Sequence, residues 1–227
     1  MYYPKFFKRL VSSLIIGGQA INFIFKGKIS KNDLFDQLME TGPGSLLIIL
    51  ITGVAAGTVF NIQIASQLTD LDRGDLIGGL LAVGMAREMA PLLTATLMTG
   101  KVATAYAAQL GTMKVTEQID AITMLKTEPI QYLVVPRVLS MVIMSPIQCF
   151  LFLIVGLKSG QIFSYALYGV EPDKFWTSIR LGIVSLNFSD LTSMIIKSVV
   201  FGLIISIIAC GYGLTTCLLY TSDAADE

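Results

Sequence analysis

The sequence predicts an all-α, polytopic membrane protein, and three observations predict it. Of the 227 residues, 54% are hydrophobic and 14% charged, against roughly 25% charged in an ordinary soluble domain. Mean hydropathy is +0.72, more apolar surface than a soluble chain of this length can hide, since folding buries only about 70–75% of it. The apolar residues also gather into long stretches that suit a bilayer, which takes about 20 helical residues to cross.

The elements follow in chain order. Residues 1–40 are too interrupted to span. Tyr2, Phe6, Phe7, Leu10, Leu14, Ile21 and Phe25 carry its apolar character and Lys5, Lys8, Arg9, Lys26, Lys28 and Lys31 flank it, a basic, aromatic-rich pattern expected to lie in the membrane interface. The segment lacks the small-residue cleavage site of a secretory signal. Four spans are predicted over 45–69, 76–109, 132–157 and 191–216. The first opens at Thr41-Gly-Pro-Gly44 and closes before Asp70-Leu-Asp-Arg-Gly-Asp75. Its Gly53-Val-Ala-Ala-Gly57 face allows close helix approach, either inside one subunit or at a homodimer seam. Between the last two spans, Phe175, Trp176, Ile179, Ile183 and Leu186 suggest a short amphipathic helix with Trp176 at headgroup level. The basic N-terminal segment puts that end in the cytoplasm or stroma, and alternation then places 70–75 and 158–190 outside and 110–131 inside. Residues 217–227 (Cys217-Leu-Leu-Tyr-Thr-Ser-Asp-Ala-Ala-Asp-Glu227) break the pattern. They read as a transposase-type sequencing adapter translated from its second nucleotide, so they are expected to be foreign and the native gene to continue.

Composition limits the chemistry. Histidine is absent and there are three cysteines, which excludes most zinc sites and every Ser-His-Asp or Cys-His arrangement. No metal site and no catalytic residue is expected. Cys149 and Cys210 lie in apolar runs and read as small core residues. Sixteen basic and sixteen acidic groups balance, leaving no electrostatic footprint for nucleic acid. No GxxxxGK[ST] loop occurs, so any ATP that powers the protein is held by another subunit.

Of the charges that fall within spans, three stand out. Arg87 and Glu88 lie about halfway along the second span, where a charge costs roughly 2.5–3.5 kcal/mol and so faces a cavity or a partner. Adjacent helical positions point apart, so the two need different partners. Pro91 should kink or break the helix beside them. Lys197, in the fourth span, either pairs with Glu88, meets an anionic headgroup, or snorkels to the outer interface. An interhelical salt bridge without a substrate role is the plain alternative for the pair. Between the second and third spans, Thr116, Glu117 and Gln118 suit a helix start, and Val115, Ile119 and Ile122 share one face, as in a docking helix on a loop.

At this stretch the sequence resembles the MlaE/YrbE family of ABC-transporter permeases, which move phospholipids between membranes. The matching blocks are Arg87-Glu-Met-Ala-Pro-Leu-Leu93, Ala107-Ala-Gln-Leu-Gly-Thr-Met113, Val115-Thr-Glu-Gln-Ile-Asp-Ala121, Tyr132-Leu-Val-Val-Pro-Arg137 and Lys197-Ser-Val-Val-Phe-Gly202. The likeness covers nearly all of 1–216 as a single permease domain. It implies an N-terminal interfacial helix, five spans (the last absent here), and a homodimer enclosing a lipid cavity. It also implies cytoplasmic ATPase subunits that bind ATP and Mg, and an MCE-domain substrate-binding partner on the far side. Carried over by position, Glu117, Gln118, Ile119 and Asp120 fall on the ATPase-coupling helix, and Arg87, Glu88 and Lys197 near the lipid pocket. Val54 to Ile64 would line that pocket. The family's usual acidic residue before Leu-Gly-Thr-Met is Gln109 here. The expected function is therefore a non-enzymatic transport subunit, in a bacterial inner membrane or a plastid inner envelope. The alternative is an ion-coupled secondary transporter using Arg87, Glu88 and Lys197, a class that often shows inverted repeats; no second broken, charged span matches the first.

Overall fold

The computed structural model describes residues 3–25, 31–71, 73–126, 128–182 and 184–223, with the side chains of 3–6, 8–10, 25, 31 and 216–223 left aside. Tyr2, Lys26, Lys28, Asp72, Ile183 and the tail residues 224–227 lie outside them. The described residues form helices α1 (Tyr3–Phe25), α2 (Lys31–Asp70), α3 (Ile77–Gly84), α4 (Ala90–Met98), α5 (Thr104–Val115), α6 (Gln118–Met124), α7 (Val135–Tyr168), α8 (Pro172–Leu181) and α9 (Phe188–Asp223). Three π-helical turns join some of them: Met85–Met89, Thr99–Ala103 and Ile130–Val134. Four helical stretches are long and apolar enough to cross a membrane: Asn32–Asp70, Gly74–Val115, Ile130–Tyr168 and Phe188–Thr215. The predicted fold class is what the structure has.

The second stretch is one helix in three α segments, because two π-turns interrupt it. Each such turn holds an extra residue, so it rotates the downstream segment relative to the upstream one. The first ends two residues before Pro91, where the missing N–H forbids a regular bond.

Several boundaries differ from expectation. Thr41-Gly-Pro-Gly44 does not open a helix but lies inside α2. Turn chemistry yields there to packing: Thr41 is fully buried, and a Cβ on Gly42 would come within 3.0 Å of the Met144 side chain. The helix of the third predicted span runs on past 157, since α7 continues to Tyr168. Lys158 is accommodated on it by lying 4.9 Å from the Trp176 ring centroid, a cation–π contact. The amphipathic helix between the last spans exists as α8, but its apolar face is spent inside the protein. Phe175 and Ile179 are buried where α8 packs on α3, and the Gly79 N–H donates to Ser178 Oγ at 2.8 Å.

By its contacts the chain forms two compact units, which the long helices share. One comprises Ser45–Leu97 and Ser145–Val199. Here α2 and α7 approach through glycine: a Cβ on Gly57 would sit 2.3 Å from the Gly156 carbonyl oxygen, and one on Gly53 3.3 Å from that of Phe152. The Gly53–Gly57 face therefore packs within the chain. Polar side chains pin the same seam: Gln148 Nε2 donates to Ser45 Oγ at 2.6 Å, Ser159 Oγ to the Val54 carbonyl at 3.1 Å, and Ser164 Oγ to Asn61 Oδ1 at 2.9 Å.

The other unit comprises Met1–Gly44, Met98–Met144 and Val200–Glu227. In it α1 packs on the Ile130–Val134 turn and lies close to α9, where a Cβ on Gly17 would meet Ile207 and one on Gly211 would meet Ser13. Tyr106, fully buried, shares a hydroxyl cluster with Thr41 (2.5 Å) and Ser140 (2.9 Å).

Candidate functional site: crossed ion pairs in the second and fourth spans

Arg87 and Glu88 both lie in the π-turn Met85–Met89. Pro91 has no N–H, so the carbonyl four residues back, that of Arg87, lacks its α-helical donor. Lys197 of α9 supplies one: its Nζ donates to the Arg87 carbonyl at 2.7 Å and to Glu88 Oε1 at 2.8 Å. Arg87 turns the other way, and its Nε donates to Asp190 Oδ1 at 2.7 Å. Asp190 is fixed in turn, since its Oδ2 accepts from the Asn187 backbone N–H at 3.1 Å. The pairs are thus crossed. The π-turn gives a cation to an anion of α9 and an anion to a cation of α9. Asp190 and Lys197, seven residues apart, fall on one face two helical turns apart.

Burial differs sharply within the quartet. The Asp190 side chain is 4% exposed and that of Arg87 56%; Lys197 and Glu88 are also open. Arg87 spends only Nε on the protein, and among the described residues its two terminal nitrogens have no partner. A guanidinium edge of this kind fits a phosphate or carboxylate with two parallel hydrogen bonds, and the Lys197 ammonium adds a further positive point. Among the described residues no cluster could hold a metal ion.

The structure brings Arg87, Glu88 and Lys197 together, with separate partners for Arg87 and Glu88 and with Lys197 on Glu88. Asp190 was missed as a partner. Its signal was available, because it lies on Lys197's helical face and Arg87 needed an anion. Lys101 was also passed over; it sits in the Thr99–Ala103 turn and donates to the Gly44 carbonyl.

Residues 117–120 do not join this quartet and belong to the other unit. Glu117 has φ 57° and ψ 13°, a left-handed conformation uncommon for a residue with a side chain. It breaks the chain between α5 and α6, so the helix starts at Gln118. Val115 consequently belongs to α5 and is exposed, which corrects the single face expected for Val115, Ile119 and Ile122. Glu117, Gln118 and Asp120 are exposed and Ile119 is buried. Asp120 pairs with Lys114 at 2.8 Å, while Met124 and Leu125 stand out at 85% and 77% exposure. In the same unit an apolar groove of about 250 Å³ is lined by Thr99, Ala103, Ala107, Ile205, Ile208 and Tyr212, among others. From the first span, Val54, Val59 and Ile62 are exposed.

The sequence profile described as Permease MlaE matches residues 34–218. The chain belongs to that family. Among its relatives is a probable ABC transporter permease protein of Synechocystis sp., 43% identical over 213 residues, covering 92% of this chain and 79% of the relative. The chloroplastic protein TRIGALACTOSYLDIACYLGLYCEROL 1 of Arabidopsis thaliana is 39% identical over 212 residues, 93% of this chain; the match spans 60% of that protein's length. The intermembrane phospholipid transport system permease protein MlaE of Haemophilus influenzae is 33% identical over 176 residues, 78% of this chain and 67% of the relative. The resemblance carried by the motifs between Arg87 and Ser140 is thereby established. As an MlaE permease with four helices among its described residues long and apolar enough to cross a membrane, the chain is a multi-pass membrane protein and a transporter permease subunit.

Proposed function

We propose that this MlaE permease moves phospholipid between membranes, that a separate ATPase subunit binds ATP and Mg and drives it, and that Arg87 and Lys197 receive the lipid phosphate. One observation carries the reading: within a membrane-crossing helix, Arg87 is held through Nε by a buried aspartate and keeps its two terminal nitrogens unspent. A cation in a span is costly, and an anionic headgroup would occupy the free edge. Glu88 holds the Lys197 ammonium beside it. The exposed apolar residues of α2 in the same unit, Val54, Val59 and Ile62, supply surface of the kind acyl chains wet.

The ATPase would dock on α6 through Glu117, Gln118 and Asp120, with Ile119 anchoring the helix from behind. Lipid is moved only if its affinity differs between two states of the transporter, and ATP in the partner would supply that difference. An MCE-domain protein on the far side and a second permease copy complete the assembly, in a bacterial inner membrane or a plastid inner envelope. The test is purification of the complex in mild detergent followed by mass spectrometry of everything bound. An ATPase, an MCE-domain protein and phospholipid are expected with the native chain. Loss of the ATPase is expected when Glu117 and Asp120 are both replaced. Undiminished ATPase recovery and lipid transfer in that variant would reject the coupling assignment, and undiminished phospholipid recovery with Arg87→Ala would reject the headgroup assignment.

A further inference from the structure

Arg137 is 7% exposed and cannot shed its charge. Among the described residues no carboxylate forms an ion pair with it. Instead its NH1 donates to the Leu133 carbonyl at 2.7 Å and its NH2 to Gln109 Oε1 at 3.1 Å. Its guanidinium carbon lies 5.7 Å from the Tyr106 ring centroid. The other end of Gln109 continues the chain, Nε2 donating to Glu40 Oε1 at 2.6 Å. A carboxamide can do both at once because it carries an acceptor and a donor; an ionised carboxylate only accepts. With an acid at 109, Arg137 would gain a counter-ion and Glu40 would face a like charge.

The elements tied are specific. Gln109 is on α5, which leads into α6; Leu133 is in the π-turn that leads out of α6 into α7; Glu40 is on α2. We propose that Gln109 is a positioning residue, the middle of an Arg137–Gln109–Glu40 brace that holds the two helices flanking α6 together and passes displacement of α6 to α2. The inference rests on the reading that α6 docks an ATPase, and specifies how that docking reaches a membrane-crossing helix. A neutral amide at 109 and an acid at 40 form a matched pair, so changing one requires changing the other.

The test uses the permease purified with its bound ATPase and reconstituted into vesicles carrying a fluorescent phospholipid. ATPase recovery, ATP hydrolysis and lipid transferred per ATP are measured for the native chain, Gln109→Glu, Gln109→Leu, and Gln109→Glu combined with Glu40→Gln. Both single variants should keep the ATPase bound and lower lipid moved per ATP by at least about fivefold, the lower end of usual coupling between sites. In the double variant the amide and the acid trade places: the amide introduced at 40 donates to the carboxylate introduced at 109, which also accepts from Arg137. That variant should return to within about twofold of native on the same scale. A native lipid-to-ATP ratio in Gln109→Leu, or a double variant no better than Gln109→Glu, overturns the brace. A purely structural role would lower the yield of complex and leave the ratio of the recovered material unchanged, which also overturns it. Absence of any ATPase from the native preparation would instead overturn the docking reading. Thermal unfolding of the permease alone then decides the pairing of 40 with 109, which fails if Glu40→Gln does not offset Gln109→Glu.

Discussion

Pro91 and Lys197 belong to different spans, yet they act on one carbonyl. The proline leaves the Arg87 oxygen without a helical donor, and the Lys197 ammonium takes its place. Lys197→Met should therefore leave that carbonyl and the exposed Glu88 without their cation, costing about 0.5–1.5 kcal/mol in reversible unfolding by denaturing detergent. Adding Pro91→Ala returns an N–H to the helix and should recover part of the loss; a double variant less stable than Lys197→Met alone would contradict this account. Asp190 makes a second residue-scale case. It is buried, and it accepts from both Arg87 and the Asn187 backbone. Asp190→Asn keeps the shape but removes the charge, and should destabilise by about 1.5–3 kcal/mol, read in the same titration. Arg87 and Glu88 could be singled out in the sequence because charge and proline inside an apolar run conflict with the membrane. Asp190 could not be chosen so directly: it sits at the head of its helix, where an acidic residue is already favoured by the helix dipole, and its partner is 103 positions away.

At the scale of elements, close approach and local strain give separate predictions. Gly57→Ala places a methyl 2.3 Å from the Gly156 carbonyl oxygen, so α2 and α7 must separate, at about 1–3 kcal/mol. A Cβ on Gly100 would meet nothing within 4 Å, and Gly100→Ala should be neutral or stabilise by up to about 1 kcal/mol; thermal unfolding in detergent compares the two. At the ends of α6, Glu117 and Lys126 both have φ 57°. Glu117→Gly relieves that geometry and should stabilise by about 1 kcal/mol, while Glu117→Gln keeps the geometry and removes the charge. If the charge recruits the ATPase, both variants lose it on purification; if the turn alone does, both keep it. The four spans were legible because apolar length is a coarse, robust signal. The start of α2 was not, because Thr41-Gly-Pro-Gly44 carries the chemistry of a turn and only the neighbours Tyr106 and Met144 reveal that a helix runs through it. One of the three π-turns was equally hidden. Thr99–Ala103 has no proline beside it, and an extra residue per turn leaves no mark in composition, whereas Ile130–Val134 ends two residues before Pro136, the same spacing as Met85–Met89 and Pro91. The face of α8 was misread for a related reason: Phe175 and Ile179 are apolar whether they meet lipid or, as here, α3.

For the whole molecule, membership in the MlaE permease family turns the sequence's motifs into a statement about assembly, and the assembly can be measured. The intact complex should contain permease and ATPase in fixed proportion, and replacing Glu117 and Asp120 together should remove the ATPase without lowering the amount of permease in the membrane. The quartet of Arg87, Glu88, Asp190 and Lys197 adds a constraint of another kind. Its formal charges sum to zero. A membrane voltage does about 2.3 kcal/mol of work on each elementary charge carried through 100 mV, but a group that shifts as a neutral set draws nothing from that field. Displacement of the quartet as one set consequently draws nothing from the electrical gradient, and transfer of a phospholipid of zero net charge by the native protein should proceed at the same rate in vesicles with and without an imposed potential.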